Sequence, residues 1–227
     1  MLNAIFVDFY GTVVHEDGAV IKMVSQEIFD TGKVDDKSQI GVYWWQEFQT
    51  AFLSSYGDTF KTQRELEYQS LAKTIEHFNS SADAEKLSDM MFEHWIKPPI
   101  FDESKRFFES SSLPIYIVSN IDRNDILQAV AFHGLKPSGI FTSEDAKSYK
   151  PRKELFEYAL NSTGLRADEV VHIGDSLSSD IKGAADVGIK AVWVNRSARD
   201  VPQGVISVGN LMEVYTVLGD EINKRNV

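Results

Sequence analysis

Short runs of consecutive apolar residues, each closed by a polar loop, constrain this chain more than any other feature. They fall at residues 4–7, 115–118, 170–173 and 191–194, with a weaker one at 139–142, are rich in β-branched side chains and are bounded by Gly, Pro, Asn, Asp or Ser. Runs apolar at every position, not every second one, read as strands covered on both faces, which is the pattern of a parallel sheet. Between the later runs lie helical patterns at 124–133, 152–162 and 180–187, with apolar positions three or four apart. Strand and helix in alternation imply a doubly wound, Rossmann-like α/β core.

From about residue 17 to 96 the periodicity is helical throughout. Trp44, Trp45, Phe48, Phe52 and Leu53 recur at helical spacing, as do Leu66, Leu71, Ile75 and Phe78. We expect an inserted all-helical cap over 17–96, its aromatics packed inside it, and a core built from 1–16 and 97–227. Pro98 and Pro99 mark the return, since neither can continue a helix.

Open parallel sheets collect ligands beyond the carboxyl ends of their strands, so the residues that follow each run are the informative ones. They are Asp8-Phe9-Tyr10-Gly11-Thr12, then Ser119-Asn120, then Lys147 and Lys150-Pro151, then Gly174-Asp175-Ser176 with Asp180. Carboxylates, hydroxyls, an amide and a cation would meet at one edge of the sheet. Any one of them alone reads as a turn residue, a helix cap or a solvated surface group. It is the ordered set that carries chemistry.

That ordered set resembles the haloacid dehalogenase superfamily, with four motifs in the family's order and the helical insert where the family places its first type of cap. The resemblance implies that Asp8 is a nucleophile forming a covalent aspartyl intermediate, a role suited to a group ionised at neutral pH. Thr12 and Ser119 through their hydroxyls, and Asn120 through its amide, would hold the oxygens of a transferring group. Lys150 would supply positive charge, with Lys147 as a competitor that matches the family pattern less well. Asp175 followed by Asp180 looks like the acidic motif of the magnesium-dependent phosphatase branch. It implies Mg2+ held by Asp8, Asp175 and the Tyr10 carbonyl, with Asp180 as a further ligand or as support.

Tyr10 departs from that branch, where an acid usually serves as proton donor and acceptor. A phenol near its ordinary pKa of about 10 is poorly matched to that task. Asp-x-Tyr-Gly-Thr instead resembles the first motif of the metal-free 2-haloacid dehalogenases, which receive halide on an early cap arginine; here no arginine precedes Arg64. A magnesium-dependent phosphatase is the reading with most support, a dehalogenase the alternative, and a weakly active or non-catalytic interaction protein the third.

Composition excludes other classes. A net charge of −11 without a basic patch disfavours nucleic acid and anionic membranes and leaves a small anionic substrate as the expected partner, the oligomeric state being unspecified. With no cysteine there are no disulfides, thiolate metal sites or cysteine nucleophiles. The first apolar stretch is stopped by Asp8 and is too short for a signal peptide, so a cytoplasmic enzyme is expected. Dinucleotide, phosphate-loop and serine-elbow signatures are missing from the sequence.

Overall fold

The structure is a computed structural model and describes residues 1–219. Strands β1 (Ala4–Val7), β2 (Ile115–Ser119), β3 (Gly139–Thr142), β4 (Val170–Gly174), β5 (Lys190–Val194) and β6 (Ile206–Val208) form one sheet in the order β3-β2-β1-β4-β5-β6. Every pairing is parallel. β6 has no counterpart among the apolar runs of the sequence, because its segment is short and only Val208 in it is buried. The helices are α1 (Gly18–Thr31), α2 (Ser38–Ser54), α3 (Gln63–His77), α4 (Ala84–Ile96), α5 (Ser104–Ser110), α6 (Arg123–His133), α7 (Ser143–Ala146), α8 (Lys153–Thr163), α9 (Gly183–Asp186) and α10 (Val214–Val217). No helix of the described residues is long and apolar enough to cross a membrane.

The described chain divides into two compact units. The sheet unit comprises Met1–His15, Pro99–Asn120 and the chain from His133 onward. Part of its core lies on one face of the sheet, where Phe6, Val118 and Val170 pack against Leu155, Phe156 and Ala159 of α8 and Ala184 of α9. β1 sits between β2 and β4, and all of its residues are buried. Asp8, the residue after it, is thereby delivered to the middle of the strand-end edge.

The helical unit comprises Glu16–Pro98 together with Ile121–Phe132. Val24, Ile28, Ile40, Trp44, Leu71, Ile75, Phe78, Leu87 and Met91 form its core. The segment that follows Asn120 is bound into this unit by two acids. Asp122 accepts from the backbone N–H groups of Gln63 (2.7 Å) and Arg64 (3.0 Å) at the start of α3, where a carboxylate meets otherwise unpaired donors. Asp125 takes the Arg64 guanidinium in a two-pronged pair at 2.8 and 2.6 Å.

Packing inside the unit does not account for all of its aromatics. Trp44 is buried, but Trp45 is 57% and Leu53 65% exposed. Trp45 stacks on Phe48, and Phe48 on Phe52, along one face of α2. Their helical spacing is correct; it describes an outward stripe as well as an inward one.

Glu67 on α3 is only 6% exposed, and its Oε1 has no hydrogen-bond partner among the described residues. Burial first, and then the charge of Asp17, push its carboxyl up to about 8. The folded state therefore binds the proton more tightly than the unfolded chain, and stability falls as pH rises from about 4.5 to about 8. Glu67→Gln is expected to remove most of that fall and to exceed wild type at pH 8 by on the order of 3–5 kcal/mol. Urea unfolding at pH 5 and pH 8 measures this; equal pH dependence in the two proteins contradicts it.

Candidate active site

Two loops, after β1 and after β4, bring the carboxylates together. Asp8 leaves β1, and the chain turns at Gly11, where φ is +84° and a Cβ would lie 2.6 Å from Oδ2 of Asp175. Glycine is required there twice over, by its backbone conformation and by the approach of the acid. Asp175 follows β4, after which the chain enters a π-helical stretch, Leu177–Lys182, that carries Asp180 back toward the strand. A Cβ on Gly174 would stand 2.2 Å from Cγ of Asp180. As a result, one oxygen from each of Asp8, Asp175 and Asp180 lies within 4.8 Å of the others.

Lys150 sits at the centre of this charge. Its ammonium donates to Asp8 Oδ1 (2.7 Å), Asp180 Oδ1 (2.7 Å) and the Val118 carbonyl (2.8 Å), which uses all three of its protons. It is 1% exposed. Burial alone would lower its pKa, but Asp180 and Asp8 outweigh burial and hold the lysine above its ordinary value. Lys147, the competing candidate, is exposed and forms the left-handed cap of α7.

The acids differ in how their oxygens are used. Asp180 Oδ1 accepts from Lys150 and from His172 Nε2 (2.9 Å), while Oδ2 accepts from the Ser176 N–H (3.0 Å). Burial pushes its carboxyl up, but Lys150 and His172 more than offset this and hold it well below the usual range. Both oxygens are engaged, and Asp180 anchors Lys150. Asp8 is held through Oδ1 alone, and its second oxygen has no hydrogen bond to a described residue. Burial pushes the Asp8 carboxyl up, Lys150 pulls it down, and the Asp180 charge pushes it up again, with a net rise.

His172 enters the site although its sequence position marks it only as a strand residue. Burial lowers its pKa against the opposing pull of Asp180, and Nε2 lies 2.9 Å from Asp180 Oδ1, an oxygen that accepts. Its Nδ1 is unpaired, and the ring meets Phe156 edge-on at 5.1 Å.

Two expected substrate contacts are engaged elsewhere. The Thr12 hydroxyl, fully buried, donates to Asp175 Oδ1 (3.0 Å). The Asn120 amide grips the backbone of Lys150, donating to its carbonyl (2.9 Å) and accepting from its N–H (2.7 Å). Both side chains position the charged groups; a polar side chain in a buried loop pairs first with the nearest backbone or acid. Ser119 ends β2 and is buried at the same edge. Tyr10 bridges to Val14 through the backbone and packs its ring edge-on against Phe9 at 5.2 Å.

Sequence reasoning missed two arginines and a tryptophan. Arg196 donates to the Thr12 carbonyl (2.7 Å), while Arg199 (3.3 Å) and the Trp193 indole (2.8 Å) donate to the Asp175 carbonyl. Their targets are main-chain oxygens, which leave no trace in residue spacing.

The family model for haloacid dehalogenase-like hydrolases matches residues 2–188, and the chain belongs to this family of hydrolases. Phosphoserine phosphatase of Thermus thermophilus is 28% identical over 142 residues, covering 58% of this chain and 56% of that protein. The HAD-hydrolase YfnB of Bacillus subtilis is 34% identical over 113 residues, 47% of this chain and 48% of its own length. The chain thus spans about half the length of these curated relatives. The magnesium-bound structure of YfnB superposes with a TM-score of 0.76 at 20% identity over 96% of this chain and 99% of that one. The L-2-haloacid dehalogenase of Xanthobacter autotrophicus carrying covalently bound chloropropionic acid gives 0.77 at 16% identity, again over 96% and 99%. At these identities the two structures share the fold with this chain.

Removing Lys150 leaves two buried acids facing each other. Lys150→Met is expected to cost about 3–5 kcal/mol in urea unfolding at neutral pH, whereas Lys147→Ala stays within about 0.5 kcal/mol of wild type. Similar losses in both variants would contradict the central place given to Lys150.

Proposed function

We propose that this hydrolase is a magnesium-dependent phosphatase acting on a small phosphomonoester through an aspartyl-phosphate on Asp8. One observation carries the reading: the oxygens of three carboxylates lie within 4.8 Å of one another with one ammonium paired to two of them, and an excess of negative charge at a site meant for an anion calls for a divalent cation. The donor set fits such an ion, because hard carboxylate and carbonyl oxygens suit Mg2+. Asp8, Asp175 and the Tyr10 carbonyl would hold it. When bound it would neutralise the charge on the phosphoryl oxygens.

The second oxygen of Asp8 attacks phosphorus as the bond to the leaving oxygen breaks, and water later hydrolyses the acyl phosphate. Lys150 holds the other Asp8 oxygen and so fixes the direction of attack. Ser119 donates to a phosphoryl oxygen at the end of β2. The name of the phosphoserine phosphatase supports the phosphomonoester substrate, and the magnesium in the YfnB structure supports the ion.

The dehalogenase reading draws on Asp8-Phe9-Tyr10-Gly11-Thr12 and on the shared fold with the Xanthobacter enzyme. Against it stands Arg64, whose guanidinium is committed to Asp125 and lies 4.3 Å over the Phe92 ring. It is poorly available to receive halide.

Purified protein with Mg2+ is expected to hydrolyse p-nitrophenyl phosphate, with activity lost in EDTA and lowered at least ~10³-fold in Asp8→Asn. Chloride release from 2-chloropropionate unaffected by EDTA would instead establish the dehalogenase. Inactivity in both assays, with a stable partner recovered, would establish the interaction protein.

Tyr10 generates a further expectation. Because a phenol is a weak proton donor at neutral pH, turnover depends steeply on leaving-group acidity, with aryl phosphates far ahead of alkyl phosphates. Tyr10→Asp should narrow that gap; an unchanged ratio of aryl to alkyl kcat/KM counts against the assignment.

A further inference from the structure

Arg196, just past β5, reaches into the nucleophile loop from outside the family motifs. One arm of its guanidinium donates to the Thr12 carbonyl at 2.7 Å, and the other pairs with Glu103 Oε1 at 2.8 Å. Its central carbon lies 3.5 Å from the centroid of the Phe101 ring, and the His15 ring lies 3.9 Å from the same centroid. Two groups that close to one centroid would overlap on a single face, so His15, Phe101 and Arg196 form a three-layer stack. The backbone around it is stitched as well. The His15 N–H donates to the Pro99 carbonyl (2.8 Å), and Val13 O accepts from Ser104 Oγ (2.7 Å).

Thr12 is the point where this scaffold meets the acids. Arg196 fixes its carbonyl while its hydroxyl donates to Asp175 Oδ1 at 3.0 Å. The peptide of Asp175 is gripped from behind by Trp193 and Arg199. The Asp175 carboxylate is thus aimed from both ends.

We propose that Arg196 is a positioning residue for the cation site: by fixing Thr12 it holds Asp175 at the spacing from Asp8 that a divalent ion requires. The inference rests on the phosphatase reading. Groups that orient a ligand from behind change metal affinity by about 10–100-fold when removed. A lysine cannot replace this arginine fully, because a single ammonium lacks the planar fork that reaches two acceptors while lying flat on a ring.

The test is isothermal titration of MgCl2 into the folded full chain, with circular dichroism to verify folding. Wild type is expected to bind. Arg196→Ala should weaken binding about tenfold or more, ethylguanidinium in the buffer should restore part of the loss, and Arg196→Lys should fall between. Thr12→Val should weaken binding similarly and Thr12→Ser should retain it. In the Thr12→Val background Arg196→Ala should add little, because both act through one link. Folded Arg196→Ala with wild-type affinity, or losses that multiply in the double variant, overturns the role of Arg196 alone. Should Arg196→Ala fail to fold, Arg196→Lys decides: wild-type affinity in that variant overturns the proposal. Wild type that takes up no magnesium overturns the phosphatase reading and this inference with it.

Discussion

A buried ammonium with its three protons on Asp8, Asp180 and the Val118 carbonyl is the constraint from which the rest of the strand-end edge follows. An ion pair taken out of water is stable only if nearly every lone pair and proton is satisfied. That condition explains residues with no reactive part of their own. Asn120 fixes the backbone of Lys150, His172 and the Ser176 N–H complete the shell of Asp180, and Gly174 leaves room for Asp180 to return. Of the two acids paired with Lys150, Asp8 is the one whose second oxygen has no hydrogen bond to a described residue.

The parallel core was legible in the sequence because most of its strands are mainly apolar along consecutive positions. The bounds of β1 and β3 coincide with the runs at 4–7 and 139–142. β6 was not legible, since a three-residue edge strand sets no periodicity. The gathering of Asp8, Lys150, Asp175 and Asp180 followed from the order of motifs after parallel strands. The partner choice of Thr12 and Asn120 did not follow, because residue type states what a side chain can bond and not which acceptor lies nearest. For the same reason Arg196 and Arg199 were invisible: their acceptors are carbonyls, which every residue carries. Trp45 lies three and seven residues before Phe48 and Phe52, and such spacing alone does not tell an outward stripe from an inward one.

The first motif resembles one branch of the family and the fourth another, and the two are physically separable at the level of charge. An aromatic at position 10 changes proton supply while leaving the backbone carbonyl in place, whereas an acid at position 175 changes the electrostatics of the whole edge. Arg64 adds a contrast: a guanidinium with a two-pronged carboxylate partner is structural cement for the helical unit. These differences weigh the chemistry toward groups that need neutralising, not a pocket built to receive an anion unaided.

The closeness of Gly174 to Asp180 reaches beyond the site. With 2.2 Å between a would-be methyl carbon and Cγ of the acid, any heavier residue must evict the side chain that anchors the lysine. A randomised library at this codon would therefore collapse to a single amino acid under selection for a folded product. Within the acidic motif the position without a side chain is then the least free to drift, and its invariance would carry no information about which substrate the protein turns over.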